Sequence, residues 1–135
     1  VATIVYAMLT SLDGYIAGPS GDIDLPVPEE DLHRHFNDEM RRTSIALCGR
    51  RMYETMRFWD SPEREIAAEE VERDFARAWR ETPKIVFSTT LREVGPNARL
   101  VNGDAEAVAR SLKSQTDGEI SVSGAELPGI LRAPA

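Results

Sequence analysis

The chain has 135 residues, 41% of them hydrophobic, which suffices for one domain with a single core and is short for two. Its formal net charge of -7 opposes nucleic acid or an anionic membrane as the main partner, so any phosphate site has to be local. One cysteine, Cys48, excludes an intrachain disulfide and a multi-cysteine zinc cluster and suits a reducing, cytoplasmic setting.

In chain order, Thr3-Ile4-Val5-Tyr6-Ala7-Met8-Leu9 is a near-continuous apolar run, which predicts a strand buried on both faces. Gly14, Gly18, Pro19 and Gly21 then forbid regular structure over most of residues 11–22. A helix is expected from Pro28, because proline suits the first helical position and Glu29, Glu30 and Asp31 put negative charge at the positive end of the helix dipole. Leu32, Phe36 and Met40 follow at four-residue spacing as its apolar stripe. Residues 44–48 form a second strand, and Gly49 turns the chain into a short helix through Met56. Strand, glycine and helix in series is a phosphate-site layout.

From residue 62 to 81 the pattern is helical, with Ala67, Val71, Phe75, Ala78 and Trp79 recurring at three and four residues until Pro83 ends it. Residues 84–88 make a third strand and 99–102 a short fourth. Asp104 is a good N-cap for a helix with Ala105, Val108, Ala109 and Leu112 on its apolar face. Residues 119–123 form a fifth strand that enters Gly124 and a last helical segment broken by Pro128 and Gly129. The end at Ala133-Pro134-Ala135 has no closing element and reads as that of a fragment. An open sheet edge there would favour a homodimer or strand exchange. No apolar run approaches the roughly 20 residues that span a bilayer. Strands alternating with helices predict an α/β domain with a largely parallel sheet covered on both faces.

Gly49-Arg50-Arg51 carries the strongest chemical signal. Arginines in the first turn of a helix oppose its dipole by about 0.3–1 kcal/mol each unless an anion compensates. Helix amides and guanidinium forks suit a phosphate, and a second arginine suits the 2′-phosphate that distinguishes NADP from NAD. The alternative is a solvated arginine pair matched with Glu54. His33 and His35, two apart on a helix, point about 200° apart and do not make a metal site. Cys48, Trp59 and Trp79 read as packing residues.

Four segments in series carry a family resemblance: Ser11-Leu12-Asp13-Gly14-Tyr15-Ile16-Ala17, Gly49-Arg50-Arg51-Met52-Tyr53-Glu54, Lys84-Ile85-Val86-Phe87-Ser88-Thr89-Thr90-Leu91 and Ile120-Ser121-Val122-Ser123-Gly124-Ala125-Glu126-Leu127. In this order and spacing they resemble the C-terminal reductase domain of the bifunctional riboflavin-biosynthesis deaminase-reductase, which shares its fold with dihydrofolate reductase. The resemblance implies a three-layer αβα fold with a mostly parallel sheet, here without the family's last strands. It also implies hydride transfer from NADPH to a small heterocyclic substrate, as in 5-amino-6-(5-phosphoribosylamino)uracil reduction.

Carried over by position, Gly49, Arg50 and Arg51 would hold the cofactor phosphates, with Met52 standing where dihydrofolate reductases show threonine. Ser88 and Thr89 would meet the adenosine side, and Leu9 and Ile16 would border the nicotinamide. Gly124 and Ala125 match the turn under the pyrophosphate, with one glycine where dihydrofolate reductase has two. The resemblance makes Asp31, on the first helix, and Asp13, in the first loop, the candidate catalytic carboxylates. Asp31 is equally one of several acids decorating a helix start, and Asp13-Gly14 an ordinary turn pair. A non-catalytic NADP-binding or interaction domain that keeps the fold, and a pterin reductase, are the alternatives.

Overall fold

A computed structural model describes residues 1–8, 29–61 and 69–124. Five strands, β1 (Thr3–Tyr6), β2 (Thr43–Gly49), β3 (Lys84–Phe87), β4 (Ala98–Val101) and β5 (Glu119–Ser123), form one sheet in the order β1-β5-β2-β3-β4. Every pairing is parallel. The described helices are α1 (Glu30–Arg42), α2 (Arg50–Met56), which runs into a 3-10 turn (Arg57–Asp60), α3 (Glu70–Glu81) and α4 (Ala105–Gln115).

Strand direction decides which face each helix covers. From β1 to β2 to β3 the chain moves one way across the sheet, and α1, α2 and α3 pack on one face against Cys48 and Val86. From β4 it returns to insert β5 between β1 and β2. A right-handed crossover in the reverse direction has to use the other face. There α4 lays Ala105, Ala109 and Leu112 on Leu47, Ile85, Ile120 and Val122. The sheet is thus buried on both sides, as the apolar β2 and β3 require.

Three expectations are corrected. The first strand is not buried on both faces, because β5 lies between it and β2 and leaves β1 at the sheet edge, with Thr3 and Tyr6 exposed. The buried stripe of α1 is turned one residue from Leu32-Phe36-Met40. Leu32 is 42% exposed, whereas Asn37 is buried because α3 offers it hydrogen-bonding partners, and His33 is buried against Asn37 and the Phe75 ring of α3. Of the helix expected over 62–81, residues 62–68 lie outside the described residues, and the extended Glu69 interrupts it, so α3 starts at Glu70. Its Val71, Phe75, Ala78 and Trp79 are buried as the periodicity required. Asp104 caps α4 as expected, its carboxylate accepting from the amides of Glu106 and Ala107 at 3.0 and 3.3 Å.

Candidate active site

The carboxyl ends of three neighbouring strands bring the phosphate-binding candidates together. Gly49 is in register with Phe87, and Cys48 with Ser123, so Gly49, Ser88 and Gly124 leave β2, β3 and β5 side by side. Ligands of open parallel sheets bind beyond such ends. α2 starts directly on Gly49, with no side chain capping its first amides and no acid in its first turn. Arg50 and Arg51 are both exposed there. Arg50 reaches Glu54 at 3.3 Å, an exposed i,i+4 pair of the kind that holds a guanidinium only weakly. Arg51 has no ion pair among the described residues.

The two glycines differ in what they permit. A Cβ on Gly49 would meet nothing within 4 Å, so the space above the turn is open. Gly124 has φ of +108°, a conformation that side chains strain to adopt, and its carbonyl accepts from the Tyr6 hydroxyl at 3.3 Å. The point a Cβ on Gly124 would occupy lies 3.7 Å from Met52 Cβ, so this turn sits against the first turn of α2. Ser88 is engaged locally, its Oγ accepting from the amides of Thr90 and Leu91 at 3.1 and 3.0 Å, while Thr89 is exposed.

A cavity of about 500 Å3 opens on the α1–α3 side of the sheet. Alternation along β5 turns Ile120 and Val122 into the α4-side core and sets Ser121 and Ser123 on the cavity side. Met52, 9% exposed, lines the cavity as well as touching the Gly124 turn, so the glycine rim and the cavity adjoin. Asp31 is exposed in the first turn of α1 and is not on the described cavity wall. The carboxylates on that wall are Glu39, Glu72 and Glu119. Asp13, Leu9, Ile16 and Ala125 lie outside the described residues.

Sequence reasoning missed His33 as a cavity residue. Its Nδ1 lies 3.1 Å from Asn37 Oδ1, and Asn37 Nδ2 donates to Val71 O at 2.9 Å and to Asp74 at 3.1 Å. Phe75 and Trp59 meet the imidazole edge-to-face, with ring centroids 5.7 and 6.0 Å away. The available signal was His33 and Asn37 four residues apart, one position round from the apolar stripe. His35, by contrast, is exposed and pairs with Glu39 at 3.2 Å.

A parallel sheet covered by helices on both faces, with a glycine-bearing rim beside a cavity, defines a dihydrofolate-reductase-like α/β protein. Residues 2–132 match the RibD C-terminal domain family, and the chain belongs to that family. It is 23% identical over 121 residues to the uncharacterized protein YyaP of Bacillus subtilis, a match covering 90% of this chain and 62% of YyaP. A crystal structure from Shewanella sp. PV-4, of a protein named provisionally for riboflavin biosynthesis, superposes with a TM-score of 0.60 at 25% identity. That match covers 92% of this chain and 65% of the other. The chain therefore spans under two thirds of the length of either relative. Among the described residues no helix is long and apolar enough to cross a membrane.

Proposed function

We propose that this protein is an NADPH-dependent reductase that transfers a hydride to a small heterocycle, as the riboflavin-biosynthesis reductases it resembles do. The observation that carries the proposal is the shared wall at Met52, which joins an arginine-bearing, uncapped helix start to a cavity of substrate size. The residues present fit a dinucleotide. Arg50 and Arg51 would hold its phosphates, open space over Gly49 admits the pyrophosphate, and Gly124 gives the close turn. When bound, a reduced nicotinamide supplies the hydride. The chain's own contribution is alignment and exclusion of water by the apolar cavity wall.

Titration of NADPH and NADH against the fluorescence of Trp59 and Trp79 tests this. NADPH is expected to bind saturably and more tightly than NADH, and Arg51→Gln to weaken NADPH about tenfold with little effect on NADH. A flat titration, or equal response to both nucleotides, refutes it. Binding without NADPH oxidation over a panel of pterin, flavin-precursor and quinone acceptors would instead favour the non-catalytic alternative. The proposal includes a cytoplasmic homodimer, paired along β1, an edge strand among the described residues, for which a concentration-dependent sedimentation coefficient is the expected result.

A further inference from the structure

We propose that the cavity selects an unphosphorylated, uncharged or cationic planar heterocycle, and that it does so by accepting a hydrogen bond from the ligand's ring N–H at Nε2 of His33. The proposal takes the cavity as the acceptor side of the reductase just described. It deepens that reading by naming the ligand class and the residue that chooses it.

The hydrogen-bond network determines which imidazole nitrogen is available. Val71 O and the Asp74 carboxylate can only accept, so the Asn37 group facing them is its NH2. Asn37 Oδ1 is thereby turned to His33, and an oxygen there requires a hydrogen on Nδ1. In the neutral ring Nε2 then carries the lone pair. His33 is 6% exposed and lines the cavity, and Nε2 has no hydrogen-bond partner among the described residues. A ligand N–H that reaches this lone pair would take the place of cavity water.

The rest of the wall restricts the ligand's charge and shape. Glu39, Glu72 and Glu119 stand on the described wall, which carries no lysine or arginine. A phosphate entering there would lose its hydration beside like charges, with no cation on the described wall to compensate. Phe36, Trp59 and Phe75 supply the flat, apolar surface on which a planar ring stacks.

Indole and its derivatives isolate each requirement on one ring, with binding read by calorimetry in the absence of nucleotide. Indole and tryptamine are expected to bind one to one, 1-methylindole at least fivefold more weakly than indole, and indole-3-propanoate more weakly than tryptamine. His33→Phe, which keeps the ring packing against Trp59 and Phe75, is expected to bring indole and 1-methylindole to equal affinity. Equal binding of those two by the wild-type protein, or no saturable binding across the series, overturns the proposal. Nitrogen-15 NMR of the labelled wild-type protein gives a test that needs no variant: the neutral His33 ring should carry its hydrogen on Nδ1, and finding it on Nε2 overturns the proposal. NADPH binding with a flat indole series refutes this inference alone, whereas an N–H-dependent indole series without NADPH binding refutes only the reductase reading.

Discussion

Lys84 caps the carbonyl end of α3 through Trp79: its Nζ donates to Trp79 O at 2.6 Å and lies 4.4 Å from the centre of the indole ring. The last backbone bond of the helix runs from Thr82 N to Ala78 O at 3.1 Å, so the carbonyls of Trp79, Arg80 and Glu81 lack a helical donor, and Asn97 Nδ2 donates to the latter two at 3.0 Å. A cation at this end also favours the helix dipole. Lys84 is 1% exposed, so its replacement leaves a buried carbonyl unpaired. Lys84→Met is expected to lower stability by roughly 1.5–3 kcal/mol in urea melts, the range for a charged hydrogen bond. A loss below 0.5 kcal/mol would refute the capping role.

Asn97 makes the same cap from the other side, at φ of +54°, a conformation asparagine tolerates better than most residues. Asn97→Gly loses the two hydrogen bonds but keeps the backbone at ease. Asn97→Ala loses both the bonds and the ease, and should be about 1 kcal/mol less stable than the glycine variant. Equal melting curves for the two variants would show that the backbone conformation carries no weight.

Burial pushes the Cys48 thiol up from 9.0 to about 12, even with the Lys84 charge drawing it down. The folded state therefore keeps this proton between pH 9 and about 12 while the unfolded chain releases it. The thiol's contribution to stability is complete below pH 9 and is lost as pH rises towards 12. Lys84 acts in the opposite sense: burial lowers its pKa, the folded state releases that proton first, and the cost of burying the ammonium falls as pH rises towards 10.5. Cys48→Ala should thus remove a fall in stability above pH 9, and Lys84→Met a gain. At pH 8 Ellman's reagent should label Cys48 only as fast as the protein opens, accelerating in step with urea unfolding. Rapid stoichiometric labelling of the native protein would contradict this burial.

The elements legible in the sequence were those whose signals are local. Apolar runs bounded by Gly49 and Pro83 located β2 and β3, Gly49 marked the start of α2, and Asp104 announced α4 by a bond to amides two and three residues away. The edge position of β1 was not legible, because it follows from β5, more than a hundred residues later, inserting between β1 and β2. The rotation of α1 was hidden for a similar reason. Asn37 turns inward because Val71 O and Asp74, 34 and 37 residues beyond it, are there to meet it, and His33 follows through its bond to Asn37. The rim residues Gly49 and Gly124 could be read from strand-end glycines, whereas the cavity behind Met52 depends on tertiary packing.

Asp74 links the surface to that buried pair, and its behaviour with pH should reveal the link. The Arg41 guanidinium bonded to it holds its carboxyl below the usual range, burial pushes the other way, and the Asn37 amide lowers it further. A depressed carboxylate stabilises the fold above its unfolded value of 3.8, and that stability is lost as pH falls through the lower folded value. The Arg41 and Asp74 side chains are 47% and 30% exposed, so solvent screening limits their pairing to no more than about 1 kcal/mol. Asp74→Asn should therefore cost about that much at pH 7 and almost nothing once the pH is below the folded value. The variant should also loosen Asn37 and so weaken the nitrogen-15 preference of His33 for a hydrogen on Nδ1. If stability and the His33 signal are both unchanged at pH 7, Asp74 is a surface charge and Asn37 is held by Val71 alone.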